Sequence, residues 1–211
     1  GQEAASWWER HVEGVVRKGT LVVAPSRDRA ELRRFASRTS HLVEIEAEAI
    51  AALEPDLAGR FGKALFFESE GHLDPRLALA GLAAKVIALG GRIHYGREVA
   101  PEDVAADAVL DCRGLAARAA LPDLRGVKGE MLLLRTRDVT LSRPVRLLHP
   151  RIPLYVVPRA DGIFMVGATM IEGGDRSAVT ARSVLELLGG AYALHPAFGE
   201  AQIVAEPVDR G

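Results

Sequence analysis

A single cysteine, Cys112, excludes an internal disulfide, and six histidines scattered through 211 residues offer no metal-ligand cluster of recognisable spacing. So little thiol fits a reducing compartment. A surplus of either charge is also missing. Lys+Arg 27 against Asp+Glu 28 leaves a formal net charge of -1, so the surface as a whole has no basic excess to attract nucleic acid or an anionic membrane. No apolar run approaches the roughly 20 residues of a membrane-spanning helix, and the polar, aromatic start at Gly1 is unlike a signal peptide. Internal repeats and low-complexity linkers are absent as well. The expectation is a soluble, cytoplasmic protein whose partner is a small molecule, with neither nucleic acid nor membrane involved.

What is present is apolar and patterned. With 48% hydrophobic residues the chain can bury a substantial core, as one large domain or two small ones. Residues 1–18 place Trp7, Trp8, Val12, Val15 and Val16 near helical spacing. Residues 20–24 read as a buried strand stopped by Pro25, and Asp28 opens a helix with Leu32, Phe35 and Ala36 on one face. The arginines of that helix, Arg29, Arg33, Arg34 and Arg38, form a solvated face or an anion site, and exposed charge is the commoner case.

A short helix over 46–53 and a strand over 63–67 lead to Gly71-His72-Leu73-Asp74-Pro75. Asp74 before Pro75 is a strong helix start, since the carboxylate accepts an orphan N–H and proline suits the first turn. That helix runs to Leu89, with Leu77, Leu79, Leu82, Ala83, Val86 and Leu89 as its expected buried face and Gly90-Gly91 as its left-handed stop. His72 reads either as a ligand contact or as a loop histidine bonded to backbone. Further strands are expected at 92–95 and 109–112, the second running through Arg113-Gly114 into a short helix, a weak sign of backbone approaching a dinucleotide. Strands at 128–135, 144–149, 152–158, 163–168 and 201–205 build a mostly antiparallel sheet, covered on one face by a helix over about 178–193.

The densest signal is His149 to Met170. Two β-rich runs flank Ala160-Asp161-Gly162, a turn whose glycine suits the positive φ of a tight hairpin. The period of two sends Leu154 and Val156 to one face and Tyr155 and Val157 to the other. A tyrosine so placed is more often a half-buried packing residue whose hydroxyl finds a partner. A methionine such as Met170, after Ala-Thr, usually fills core gaps.

Taken in order, Gly71–Pro75, Leu110-Asp111-Cys112-Arg113-Gly114, Val127-Lys128-Gly129-Glu130-Met131, Tyr155-Val156-Val157-Pro158-Arg159 and Gly167-Ala168-Thr169-Met170 resemble the D-amino-acid oxidase superfamily of flavoproteins, above all its glycine oxidase branch of thiazole biosynthesis. The resemblance extends over nearly the whole chain. It implies an α+β (mixed α/β) fold: an antiparallel substrate-domain sheet with helices, plus part of a Rossmann-like FAD-binding domain. The implied boundaries are 1–18 for a helix at the domain junction, 19–67 and 126–205 for the substrate domain, 68–125 for the FAD-binding part, and 206–211 for a truncated return to it.

The implied cofactor is FAD, contacted at Val99, Cys112, Arg113 and Gly114; Arg113 departs from the small residue or threonine common there. The implied substrate is a small amine or amino acid, with Tyr155 helping to hold its carboxylate and Met170 bordering it near the flavin. Arg210 is the candidate for a carboxylate-clamping arginine, although its Glu206-Pro207-Val208-Asp209 flank departs from the family's Gly-Leu-Arg-Pro-like segment. The glycine-rich G-x-G-x-x-G turn of the family is not in this sequence. The implied reaction is oxidative deamination of glycine or another small amino acid, by hydride transfer to flavin and reoxidation by oxygen. No acid/base side chain is required if the neutral amine binds, and no catalytic dyad is evident. Two rival expectations stand beside it: a non-catalytic fragment unable to bind FAD alone, and an oxidase or dehydrogenase of N-methyl amino acids such as sarcosine. A half-built FAD domain would leave a strand edge that tends to pair or be covered, so association into a homo-oligomer is also expected.

Overall fold

The computed structural model describes residues 3–149, 153–174 and 176–204. Its strands are β1 (Thr20–Val23), β2 (Val43–Glu46), β3 (Lys63–Phe67), β4 (Val127–Lys128), β5 (Met131–Arg135), β6 (Val145–Leu147), β7 (Leu154–Pro158), β8 (Ile163–Gly167), β9 (Ile171–Glu172) and β10 (Gln202–Val204). The helices are α1 (Ala4–His11), α2 (Arg29–Ala36), α3 (Ala47–Leu53), α4 (Pro75–Ala88) and α5 (Ala181–Leu194). Eight strands form one sheet in the order β10-β5-β8-β7-β6-β1-β3-β2, and β4 pairs with β9 apart from it. Every described pair is antiparallel except β1 with β6. The mixed α/β architecture expected from the sequence is therefore present.

The two faces of this sheet differ. On one, Leu21, Leu134, Val145, Leu147, Leu154, Val156, Phe164 and Val166 pack against Leu187, Ala191, Leu194 and Phe198 of α5 and the turn after it, all buried. On the other, Leu32, Phe35 and Ala36 of α2 cover only the β1–β3 end. The hairpin β7–β8 forms as its alternation demands, with Asp161 (φ 59) and Gly162 (φ 67) both in the left-handed region at the turn.

Asp74 caps α4 through Oδ1, which accepts from Arg76 N at 2.9 Å and Leu77 N at 3.3 Å. Replacing Asp74 with alanine is expected to lower thermal stability by about 1 kcal/mol, the usual worth of such a cap, with loss of helical ellipticity as the reading. Asp28, by contrast, makes no capping bond; a tight helical turn over Ser26–Asp28 already precedes α2. The α2 arginines are exposed, and Arg34 pairs with Glu31.

Three expectations are corrected. The supposed buried face of α4 is open: Leu77, Leu79, Val86 and Leu89 are exposed, only Ala78 of this helix is buried, and Ile87 is exposed too. The helix is apolar on all sides, and such a helix is covered only where other elements meet it from several directions. Neither 92–95 nor 109–112 is a strand, and Tyr95, Val109 and Leu110 lie exposed. A parallel strand exists only by bonding to neighbours, and none among the described residues pairs with these segments. Finally, 128–135 is divided between β4 and β5, and an edge strand, β2, occurs where no strand was expected.

Candidate functional site

Tyr155 is half-buried on the sheet face opposite α5. Its register partner on β8 is Gly167, and beyond that strand lies Met131 of β5. The phenol crosses the glycine, and its hydroxyl lies 3.8 Å from Met131 Sδ. Only a glycine permits this crossing: a Cβ at 167 would stand 2.8 Å from Met131 Cγ and 3.2 Å from the Tyr155 hydroxyl. Tyr155 is thus a positioned phenol, and Met131 and Gly167, which stand in the resembling segments, were not among the expected site residues.

The chain after Gly167 is held from below by a polar cluster. Thr169 accepts from Glu130 N at 2.9 Å through its hydroxyl, and its own N–H donates to the Glu130 carbonyl at 3.1 Å. The Glu130 side chain is buried and paired with Lys128 at 2.8 Å, while Thr180 donates to it from its hydroxyl at 3.4 Å. Lys128, followed by Ser183, holds the Glu130 carboxyl below the usual carboxylate range. This cluster fixes residues 167–169, and Met170, the next residue, is 86% exposed. An exposed methionine contributes nothing to a core, so the gap-filling reading of Met170 does not hold.

Val99 is half-buried outside any helix or strand, and Cys112, Arg113 and Gly114 are exposed. The Arg113 guanidinium folds back on Asp111 in a bidentate pair, 2.9 Å from Nε and 2.8 Å from Nη2. That pairing holds Asp111 at about 2, so the clamp persists through neutral and mildly acidic pH and releases only near that value. The side chain that departs from the family pattern is therefore turned onto its own neighbour. Gly114 has φ +59 with open space where a Cβ would stand, so the glycine serves the backbone turn. Leu115 then reaches the Gly126 and Gly174 backbone, beside the β4–β9 pair. An exposed, left-handed turn joined to the segment that follows Met170 fits backbone contact along one edge of a flavin. Arg210 lies outside the described residues.

His72 does not behave as a loop histidine bonded to backbone through its ring. Its main chain pairs with Val16, at 2.8 and 2.9 Å, but neither buried ring nitrogen has a hydrogen-bonding protein partner.

The model of the FAD dependent oxidoreductase family, DAO, matches residues 1–208. A Rhizobium etli protein named as a thiamine biosynthesis oxidoreductase, ThiO, is 58% identical over 204 residues, covering 96% of this chain and 62% of that protein. Among solved structures, glycine oxidase from Geobacillus kaustophilus superposes with a TM-score of 0.75 at 23% identity, over 96% of this chain and 61% of that one. Iminodiacetate oxidase from Chelativorans sp. BNC1 gives 0.72 at 22%, over 97% and 64%. The chain thus spans less than two thirds of the length of these relatives. It belongs to the DAO family of FAD-dependent oxidoreductases.

Proposed function

We propose that this chain supplies the substrate-facing sheet of an FAD-dependent oxidase of glycine or another small amino acid. The observation that carries the reading is Tyr155, laid across Gly167 on an otherwise sparsely covered sheet face, in a chain 58% identical to a thiamine biosynthesis oxidoreductase. Residues 19–67 and 126–205 belong to the substrate domain on this reading, 68–125 to the FAD-binding domain, with 1–18 at their junction and 206–211 returning to the second.

The Tyr155 hydroxyl donates a hydrogen bond to the substrate carboxylate, and Arg210 is the candidate for its bidentate clamp. Met170 borders the substrate and keeps water from the reacting carbon. Val99 and the backbone of Cys112, Arg113 and Gly114 would hold the cofactor. When bound, FAD supplies the acceptor for the hydride leaving Cα, with oxygen as the final oxidant. With the amine bound in its neutral form, no side chain would be needed as acid or base, so the chain would contribute positioning.

Peroxide release from the FAD-loaded protein tests this, with glycine, sarcosine and iminodiacetate as substrates. Glycine-dependent peroxide is expected, and Tyr155→Phe is expected to lower kcat/KM about tenfold through the lost carboxylate contact. A flavin-loaded protein inert to every small amine would end the proposal, and failure to take up FAD would favour a non-catalytic fragment.

No helix among the described residues is long and apolar enough to cross a membrane. A cytoplasmic location and a homo-oligomer complete the reading. The exposed leucines of α4 support the latter, and sedimentation over a concentration series tests it.

A further inference from the structure

A cavity of about 1010 Å³ opens on the Tyr155 side of the sheet, between α1, the end of α2, the 69–73 loop and strands β7 and β8. Its size is that of pockets which enclose organic ligands. Tyr155 does not line it; Val157, two residues further along β7, and its register partner Met165 do. Trp8 and Phe67 add aromatic wall, and the charged and imidazole groups of the lining include His72, Arg159 and Arg38 together with one carboxylate, Glu70.

Arg159 is built into this wall. Its side chain is 13% exposed, and Nη1 donates to the Leu73 carbonyl at 2.7 Å. The remaining contacts are weak: Met165 Sδ at 3.8 Å from Nη2, and the Asp74 carboxylate at 4.0 Å from Nε. A guanidinium has five N–H donors, so this one is oriented and still under-used. His72 beside it carries two buried ring nitrogens without a protein partner, and a buried polar group left unmatched is costly enough to need explaining. Burial first, and then the nearby charges of Arg159 and Lys18, push this imidazole below its ordinary pKa, which favours the neutral form. A neutral imidazole offers one N–H and one acceptor nitrogen.

We propose that this cavity is a second ligand site, separate from the Tyr155 site, for a small carboxylate with an apolar body. The carboxylate accepts from Arg159 and from the His72 N–H, and the body lies against Trp8, Phe67 and Met165. A single oriented guanidinium matches one negative charge in planar geometry, which favours a carboxylate over a more highly charged phosphate. The aromatic wall favours an aryl or alkyl group over a bare anion.

Trp8 is one of only two tryptophans, so intrinsic fluorescence reports on the cavity directly. Phenylacetate and hexanoate, titrated into the protein, are expected to give a saturable change with a midpoint of about 1 mM or lower. Phenylacetamide and inorganic phosphate are expected to bind at least about tenfold more weakly. Arg159→Met and His72→Phe, each checked for retained fold by circular dichroism, are expected to weaken phenylacetate about tenfold, with Arg159→Lys intermediate. Tyr155→Phe should leave the titration unchanged. A flat titration in the folded protein, an equal response to phenylacetamide, a preference for phosphate, or a response lost in Tyr155→Phe but kept in Arg159→Met each overturns the assignment. Because the reading is binding to this chain alone, its failure is distinct from a failure of oxidase activity.

Discussion

Replacing Glu54 with alanine is expected to destabilise the protein by about 3–5 kcal/mol, the cost of removing one partner from a buried ion pair. Glu54 is 1% exposed, at the end of α3. Its carboxylate accepts from Arg143 Nε at 2.7 Å, from the Ser142 hydroxyl at 2.6 Å and from Ser142 N at 3.0 and 3.1 Å. Arg143 also donates to the carbonyls of Lys18 at 2.6 Å and Leu53 at 3.2 Å. The cluster therefore ties the residues just before β1 to those just before β6. These two strands form the parallel pair at which the early strands β1–β3 meet the later ones. No hairpin can close a parallel pair, so its register depends on such side-chain ties. Without the carboxylate, the guanidinium stays nearly buried, with side-chain exposure of 11%, and keeps its carbonyl acceptors but loses its counter-charge. Urea titration is the measurement: the midpoint should fall with little change in slope. Glu54→Gln, which keeps an acceptor for Ser142, should lose less. A loss below about 1 kcal/mol for the alanine variant would mean the pair carries no more than an exposed one.

Gly167→Ala is expected to lower kcat/KM for glycine about tenfold in the flavin-loaded enzyme, the same scale as Tyr155→Phe, because the methyl acts by displacing the same hydroxyl. The new methyl would stand 2.8 Å from Met131 Cγ and 3.2 Å from the Tyr155 hydroxyl. Met131 is 46% exposed and can swing away, so the fold should survive while the phenol loses its resting place. A double-mutant cycle isolates the effect. On a Tyr155→Phe background the added methyl should cost little more, because the group it displaces is already gone. Adding Met131→Ala should restore part of the activity by making room. Equal losses on both backgrounds would show that Gly167 acts through something other than the phenol.

Local chemistry alone accounts for much of this molecule. The hairpin of β7 and β8 follows from alternating residues around Asp161-Gly162, and the start of α4 follows from Asp74-Pro75, because turns and caps are decided within a few residues. The apolar stripe of α5 likewise found the sheet, with Leu187 and Ala191 fully buried. Residues 92–95 and 109–112 carry a strand pattern without being strands, since a strand requires a neighbour that local sequence cannot supply. β2, reading Val-Glu-Ile-Glu at an edge, alternates with the strand period but over only four, mostly exposed residues, and pairing with β3 is what orders it.

The sequence by itself determined the family, the hairpin and the face on which Tyr155 stands. Only the tertiary structure decided what surrounds that face. The space above Gly167, the buried partners of Glu54 and the meeting of His72 with Arg159 each join residues from different elements. Their chemistry depends on distance in space, which spacing along the chain does not encode.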